Sequence, residues 1–269
     1  MDRRQALGGM CCVALAGLAV PAFAETSDAA LDVLLGKYVV ANPDGVNRID
    51  YARWRAAPAD MSSLDAYIRQ LAARAPSRLP RDEAFVLWCN LYNTITLKVV
   101  LDRYPVASIR DIKSEGLFDP KAYTGPWRTK RVTIEGRSYS LDDIENDVLR
   151  PVFKDPRVHY AVNCASYGCP NLRNKAWAAA TLAADLDRAA RDYVNHPRGV
   201  TVLPGNWLKV SSIYKWFADD FGGTDASTIA HLRRYAEPKL AAALASNLVI
   251  SEDGYDWSLN DAKSSAGSR

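Results

Sequence analysis

The sequence predicts an α+β fold, a helix-rich single domain with a small antiparallel sheet built from short hairpins. Three observations predict it. Apolar residues recur at helical spacing through most of the chain, as in Leu31, Leu34, Leu35 and Tyr38. Turn pairs such as Glu135-Gly136 and Pro204-Gly205 separate short β-prone runs in the manner of hairpins. Strands and helices do not alternate regularly, which argues against a doubly wound sheet.

In chain order, Asp28 to Val40 is predicted as an amphipathic helix. Ser62 to Ala73 is a second, with Leu64, Tyr67, Ile68 and Leu71 on one face and Pro76 and Pro80 closing it. Arg81 to Arg103 is apolar nearly all round from Ala84 to Asn93, which suits a helix through the centre of the domain. Lys113 to Thr129 has no clear period and reads as a long ordered loop carrying Trp127. Lys130 to Tyr139 is a hairpin, and Ser140 with Asp143 caps a short helix that should run through Leu149. Leu182 to Val194 is another helix, and Val200–Leu203 and Trp207–Val210 flank a second hairpin turn. Ser211 or Ser212 caps a helix carrying Ile213, Trp216, Phe217 and Phe221, which Gly222-Gly223 ends. Asp225 to Leu244 is a last helix. Leu248 to Trp257 is read as a final hairpin about Asp253-Gly254, and the polar residues from Asn260 as a flexible tail, 260–269.

The chain begins with Arg3 and Arg4, an apolar run from Met10 to Val20, and Ala22-Phe23-Ala24, a small-x-small site suited to a signal peptidase. Residues 1–24 therefore read as a cleavable, twin-arginine-like leader, with general secretion as the other route and a periplasmic or secreted destination. The run is too short, and too broken by Gly17 and Pro21, for a membrane span, so none is expected after cleavage. What remains, residues 25–259, has the length of one globular domain. The net charge of +3 comes from 34 basic and 31 acidic residues with no block of one sign, which gives no case for nucleic-acid binding. No cofactor is implied. The partner expected is a small-molecule or peptide ligand, and nothing fixes the oligomeric state. Outside the leader the cysteines are Cys89, Cys164 and Cys169, enough for one disulfide and one thiol.

Reactive side chains gather between Arg157 and Pro170. Alternating Val158, Tyr160 and Val162 suggest a strand that ends at Cys164, followed by a turn of small residues. A thiol there is open to a substrate and close to backbone N–H groups, but it needs a partner to raise its thiolate fraction. Three readings stay open: a Cys164–His159 nucleophilic pair oriented by Glu145 or Asn90, a structural Cys164–Cys169 disulfide, or a metal held by His159, Cys164 and Cys169. The metal is the weakest of the three, since the spacing matches no common zinc pattern and a fourth ligand is lacking. Cys89, in an apolar helix, reads as a small buried hydrophobe. Asn90 and Asn93 in that helix need partners, because a buried amide is costly unless paired. Glu145 reads equally as part of a solvated face or of the site. Trp127, Tyr214 and Trp216 read as core rather than as a ligand platform.

With these pieces the chain resembles the family called domain of unknown function 547. The resemblance rests on Ala84-Phe85-Val86-Leu87-Trp88-Cys89-Asn90-Leu91-Tyr92-Asn93, on Leu141-Asp142-Asp143-Ile144-Glu145 with Leu149-Arg150-Pro151, and on Asp155 to His159 with Cys164 to Leu172. It closes with Ser212 to Trp216 and Asp219-Asp220-Phe221, so that it spans roughly Leu64 to Tyr235. It carries Asn90, Tyr92, Asn93, Glu145, Arg157, His159, Cys164, Ser166 and Cys169 over as matching positions without assigned roles. Arg157, Ser166, Tyr92 and Asn93 are accordingly candidate binding residues. Cys89 stands where the family more usually has an aliphatic residue, and Asn171 where a second Pro is common. Some relatives join this domain to a glutaredoxin-like one, which implies thiol chemistry only by association.

Overall fold

Residues 28–113, 125–246 and 248–263 are described in the computed structural model; the expected leader, 1–24, and residues 114–124 of the expected loop lie outside them. Helix α1 (Ala29–Tyr38) buries the four apolar residues that its spacing predicts, and Tyr38 stacks on Trp54 with ring centroids 4.6 Å apart. The pair β1 (Val39–Val40) and β2 (Arg48–Ile49) is antiparallel and leads into α2 (Tyr51–Arg55), which Asp50 caps. Helix α3 (Pro58–Ala72) starts ahead of the predicted Ser62, because Pro58 sits in the first turn, where its missing N–H costs nothing. Helix α4 (Arg81–Arg103) keeps its predicted bounds. By length and composition it could cross a membrane, but 94% of its apolar window is buried, so it is the axis of the domain.

The hairpin β3 (Val132–Ile134) and β4 (Arg137–Tyr139) turns at Glu135 and Gly136, both at positive φ, the twist a two-residue hairpin loop demands. Ser140 and Asp143 form the predicted capping box on α5 (Leu141–Asp143). The helix does not stop at Leu149. It continues as a π-helix, Ile144–Phe153, with Pro151 inside it, and ends at Lys154 in the left-handed conformation. Proline in an α-helix clashes with the carbonyl four residues back, and the wider π turn moves that carbonyl away.

Residues expected to form a strand before Cys164 form a one-turn helix instead, α6 (Val158–Ala161), with Val162 extended after it. The alternation misleads because this turn is buried on every side. Val158, Ala161 and Val162 pack into the core around α4, while Tyr160 packs into a second core made by α7 (Leu182–Val194) and the elements that follow. Four residues buried all round show no readable period.

The second core contains β5 (Val200–Leu203), β6 (Trp207–Ser211), α8 (Ile213–Trp216), α9 (Asp225–Tyr235), α10 (Pro238–Leu244) and β7 (Val249–Gly254). Three expectations change here. The single helix predicted to run on to Phe221 stops at Trp216 and is followed by a 3-10 turn, Ala218–Phe221. The predicted helix from Asp225 to Leu244 is two helices, since Pro238 pushes Ala236 and Glu237 into extended backbone. The predicted last hairpin is one strand, β7, which runs parallel to β6, so the sheet β5-β6-β7 is mixed rather than purely antiparallel. Asn260 and Asp261, placed in a flexible tail from sequence, are buried, with Asn260 accepting from Tyr51 Oη at 2.8 Å and Asp261 from Tyr104 Oη at 2.7 Å; residues 264–269 of that expected tail lie outside the described residues. The architecture stays helix-rich α+β, with small sheets of two or three strands.

Candidate functional site

A cavity of about 280 Å³ opens where the two cores meet. Its lining draws on Tyr92 of α4, Glu145 of the π-helix, His159 of α6, the Cys164–Pro170 turn, Trp216 at the end of α8, and Tyr255 and Trp257 after β7.

Buried amides set the thiol turn. Asn93 donates to Ala161 O at 2.9 Å and accepts from the backbone N–H of Asn163 at 2.8 Å. Asn163 in turn accepts from Ala165 N at 2.8 Å and donates to Pro170 O at 2.7 Å, closing the loop on itself. Ala165 takes a left-handed φ of 63°, which reverses the chain directly after Cys164. Gly168 N donates to Asp256 O at 2.8 Å, and a Cβ at Gly168 would stand 2.9 Å from Asp256 N, so only glycine lets these segments touch. That contact brings Tyr255 over the turn.

Cys164 is half-buried and Cys169 buried, with their sulfurs 2.6 Å apart. Tyr255 Oη lies 3.0 Å from the first sulfur and 2.9 Å from the second, and Ser166 Oγ lies 3.4 Å from Cys164 Sγ. The backbone N–H of Cys164 donates to Cys169 Sγ at 3.0 Å. The Cys169 thiol beside it brings the Cys164 thiol down to about 7 against the opposing effect of burial, with help from Ser166 and Tyr255. Burial pushes the Cys169 thiol up.

His159 is buried and stacks on Phe217 at 4.2 Å. Its Nε2 is 2.7 Å from Asp220 Oδ2, an oxygen that also accepts from Arg150 Nε at 2.5 Å. Burial would raise the Asp220 carboxyl, but its bonds to His159 and Arg150 hold it down at about 2. An ionised Asp220 makes Nε2 the protonated nitrogen, so the lone pair of Nδ1 faces Glu145 Oε1, 3.9 Å away. Burial outweighs Asp220 and keeps the imidazole pKa below its ordinary value, so the ring is neutral. Burial, reinforced by the charge of Cys164, raises the Glu145 carboxyl to about 7, with Tyr92 opposing.

The cavity thus unites Cys164, Cys169, His159, Glu145 and Tyr92. Cys164 bonds to Cys169, Ser166 and Tyr255, and His159 to Asp220. Asn90 does not line this cavity: it exchanges two hydrogen bonds with the backbone of Trp177. Arg157 is turned to Asp155 and Asp187 in ion pairs. Asn93 acts on the turn rather than at the cavity wall. Trp127 and Trp216, read from sequence as core, line the cavity, and Trp216 is 49% exposed; Tyr214 is core as expected. Among the described residues no group of three or more His, Cys, Asp or Glu is placed to hold a metal ion, and His159, Cys164 and Cys169 do not converge as a ligand set.

Asp220, Arg150, Tyr255 and Trp257 were not singled out from sequence. Asp220 and Arg150 stand in the segments that carry the family resemblance, which was the available signal. Nothing local marks Tyr255 or Trp257, because only the pairing of β7 with β6 brings them to the thiols.

The stretch holding Trp88 to Asn93, Glu145, His159, Cys164 and Cys169 is also the one that other chains share. It matches the family model described as protein of unknown function, DUF547, over residues 76–194. Over those residues the chain is similar to the DUF547 family. Neither the curated proteins nor the solved structures contain a match to the chain. The matched segment supplies the thiols, Glu145, His159 and Tyr92, while Trp216, Phe217, Asp220, Tyr255 and Trp257 come from beyond it. The expected span, Leu64 to Tyr235, is wider than the match.

Proposed function

We propose that the cavity is the active site of a thiol-dependent acyl hydrolase or transferase with Cys164 as nucleophile. The observation that carries this reading is a half-buried thiol and a mostly buried carboxyl in one cavity, both brought to about 7, so that one proton moves between them near neutrality. Cys164 gives its proton to Glu145. The thiolate attacks a carbonyl carbon, the carbon–sulfur bond forms, and the bond to the leaving group breaks as Glu145 returns the proton to that group. Water, or a second substrate in a transferase, then attacks the thioester and gives its proton to Glu145, and Cys164 leaves. His159, held by Asp220, presents Nδ1 to Glu145 and positions that carboxyl. Tyr255 Oη, beside both sulfurs, is the nearest hydroxyl donor for the oxyanion.

The closeness of the two sulfurs favours a second reading, a binding module in which Cys164 and Cys169 form a disulfide that holds the loop. The two separate on reduced mature protein treated with p-nitrophenyl acetate and followed by intact mass. One acetyl group on Cys164, absent in Cys164→Ser and slower to appear in Glu145→Gln, supports the enzyme. No acetylation of a protein whose Cys164 still alkylates with iodoacetamide overturns it.

We place either activity outside the cytoplasm, on the strength of Arg3, Arg4 and the apolar run that follows them. Replacing both arginines by lysine should stop twin-arginine export. Unchanged periplasmic accumulation would mean general secretion, and retention of wild type in the cytoplasm would remove the placement.

A further inference from the structure

The cavity has two kinds of wall. One is aromatic. Trp216, Tyr255 and Trp257 form a contiguous group, with ring centroids 4.9 Å apart for Trp216–Tyr255, 5.5 Å for Trp216–Trp257 and 4.6 Å for Tyr255–Trp257. Trp127 meets Trp257 edge-on at 5.7 Å. The other wall is acidic: Asp142 and Glu145 lie one helical turn apart and both line the space. Among the described residues no lysine or arginine lines the cavity, and the histidine there is neutral because it is buried.

That combination discriminates among ligand charges. An anion entering would meet the exposed carboxylate of Asp142 and the negative charge that Glu145 and Cys164 share near neutrality, with no cation among the described lining residues to offset them. A neutral ligand would gain only apolar contact. A cation would gain from the Asp142 carboxylate, from the charge that Glu145 and Cys164 share, and from the electron-rich ring faces, an attraction that grows when the site excludes water. Two guanidinium groups lie over rings of the lining, that of Arg110 5.2 Å from the Trp257 ring and that of Arg150, which is paired with Asp220, 4.7 Å from the Phe217 ring. Trp216 packs against Tyr255 and Trp257 and still keeps nearly half its surface exposed, a large apolar area at the site.

We infer that this cavity takes an organic cation, an acyl compound whose ammonium centre sits between the Trp216–Tyr255–Trp257 group and the carboxylate of Asp142, on the side of the cavity where Glu145 also lies. The inference rests on the reading of the cavity as the active site and names its substrate class. The acyl carbon lies toward Cys164, and the ammonium lies toward the rings.

The test uses the mature protein carrying Cys164→Ser, so that binding is read without thiol chemistry. Choline is the cationic probe, 3,3-dimethylbutan-1-ol its uncharged isostere, 3,3-dimethylbutanoate the anion and cellobiose a neutral sugar that also stacks on indoles. Binding is followed by calorimetry and tryptophan fluorescence. Choline should bind at least about tenfold more tightly than its isostere, with the anion weakest. Trp216→Leu and Asp142→Asn, both surface changes that leave the cores intact, should each weaken choline severalfold. Equal affinity for choline and the isostere, no binding of choline, or binding of cellobiose in its place would each overturn the inference. Acetylation of Cys164 in the wild type is measured separately, so failure of the cation leaves the thiol reading standing and failure of the thiol leaves the cation result standing.

Discussion

His159 Nε2 and Asp220 Oδ2 are 2.7 Å apart, and this single bond decides which face of the imidazole looks into the cavity. Asp220 lies on the 3-10 turn after α8, beyond the DUF547 match, so the orientation of a histidine inside the matched segment depends on a residue outside it. Replacing Asp220 by Asn removes the charge that fixes the tautomer and the ionic bond to Arg150. Turnover of an ester substrate by Asp220→Asn should fall roughly tenfold to a hundredfold. Alkylation of Cys164, which needs only the thiolate, should stay within about twofold of wild type. Equal losses in both measurements would mean general disruption of the site.

Glu145 makes stability depend on pH in a direction opposite to most carboxylates. Its folded-state pKa, about 7, lies above its ordinary value of 4.5, so the folded protein binds the proton more tightly than the unfolded chain. The stability this contributes is complete below about 4.5 and is lost as pH rises through about 7. The size is at most about 3–4 kcal/mol for a shift from 4.5 to about 7, and less to the extent that water screens the carboxyl. Glu145→Gln keeps a neutral group at every pH, so its urea stability relative to wild type should grow between about pH 5 and pH 8. His159, whose pKa is lowered, acts in the opposite sense below its ordinary value but is common to both proteins and cancels in the difference. A constant difference across that range would show that Glu145 is not held neutral by burial.

How much of this was legible in the sequence depended on how far apart the contacting residues lie. Helix α4 and the capping box at Ser140 were readable because their signals are local: an all-apolar run for the first, a hydroxyl and a carboxylate three residues apart for the second. The helical turn at Val158–Ala161 was not, because four residues shared between two cores imitate strand alternation. Cys164, Cys169, His159, Glu145 and Tyr92 were found as reactive types in one resembling segment, and one cavity does contain them. The partners of His159 and of the two thiols were missed. Asp220 and Tyr255 reach the cavity through the turn after α8 and the parallel pairing of β7, and no local pattern encodes long-range pairing.

Asn93 supports the site without lining it. In Asn93→Ala the backbone N–H of Asn163 loses its acceptor in a buried place, while Ala161 O keeps a donor in Trp177 Nε1 at 3.0 Å. One orphaned donor costs roughly 1–3 kcal/mol, and the melting temperature should fall accordingly. The Cys164 turn should also loosen, which hydrogen exchange at Asn163 and Ala165 would report. Wild-type protection at both amides would refute the link.

Cys89 is fully buried in α4, where burial pushes its thiol well up. Native protein should therefore leave Cys89 unlabelled by iodoacetamide while Cys164 reacts. Cys89→Ala should cost about 1 kcal/mol of stability and leave the labelling of Cys164 unchanged. Fast labelling of Cys89 in the native state would contradict its burial.

Cys169 is the residue whose removal should most change the reactivity of Cys164. The lowered Cys164 pKa depends first on the neighbouring Cys169 thiol, with Ser166 and Tyr255 as weaker supports. From sequence alone the base beside Cys164 is His159, which would make His159→Ala the variant that slows alkylation. In the structure His159 is bonded to Asp220, so the effect is assigned to Cys169 instead. A thiol at about 7 is roughly half ionised at neutrality, whereas one near its ordinary value of 9 is about one per cent ionised. With Ser166 and Tyr255 still in place, reduced Cys169→Ala should label with iodoacetamide on the order of tenfold more slowly at pH 7, and its rate profile should move to higher pH. Cys169→Ser keeps an O–H donor at the same place and should recover part of the loss, which a purely packing effect would not produce. Profiles of Cys169→Ala and wild type that coincide would mean that the thiolate is supported from elsewhere, and a profile displaced only in His159→Ala would return that role to the imidazole.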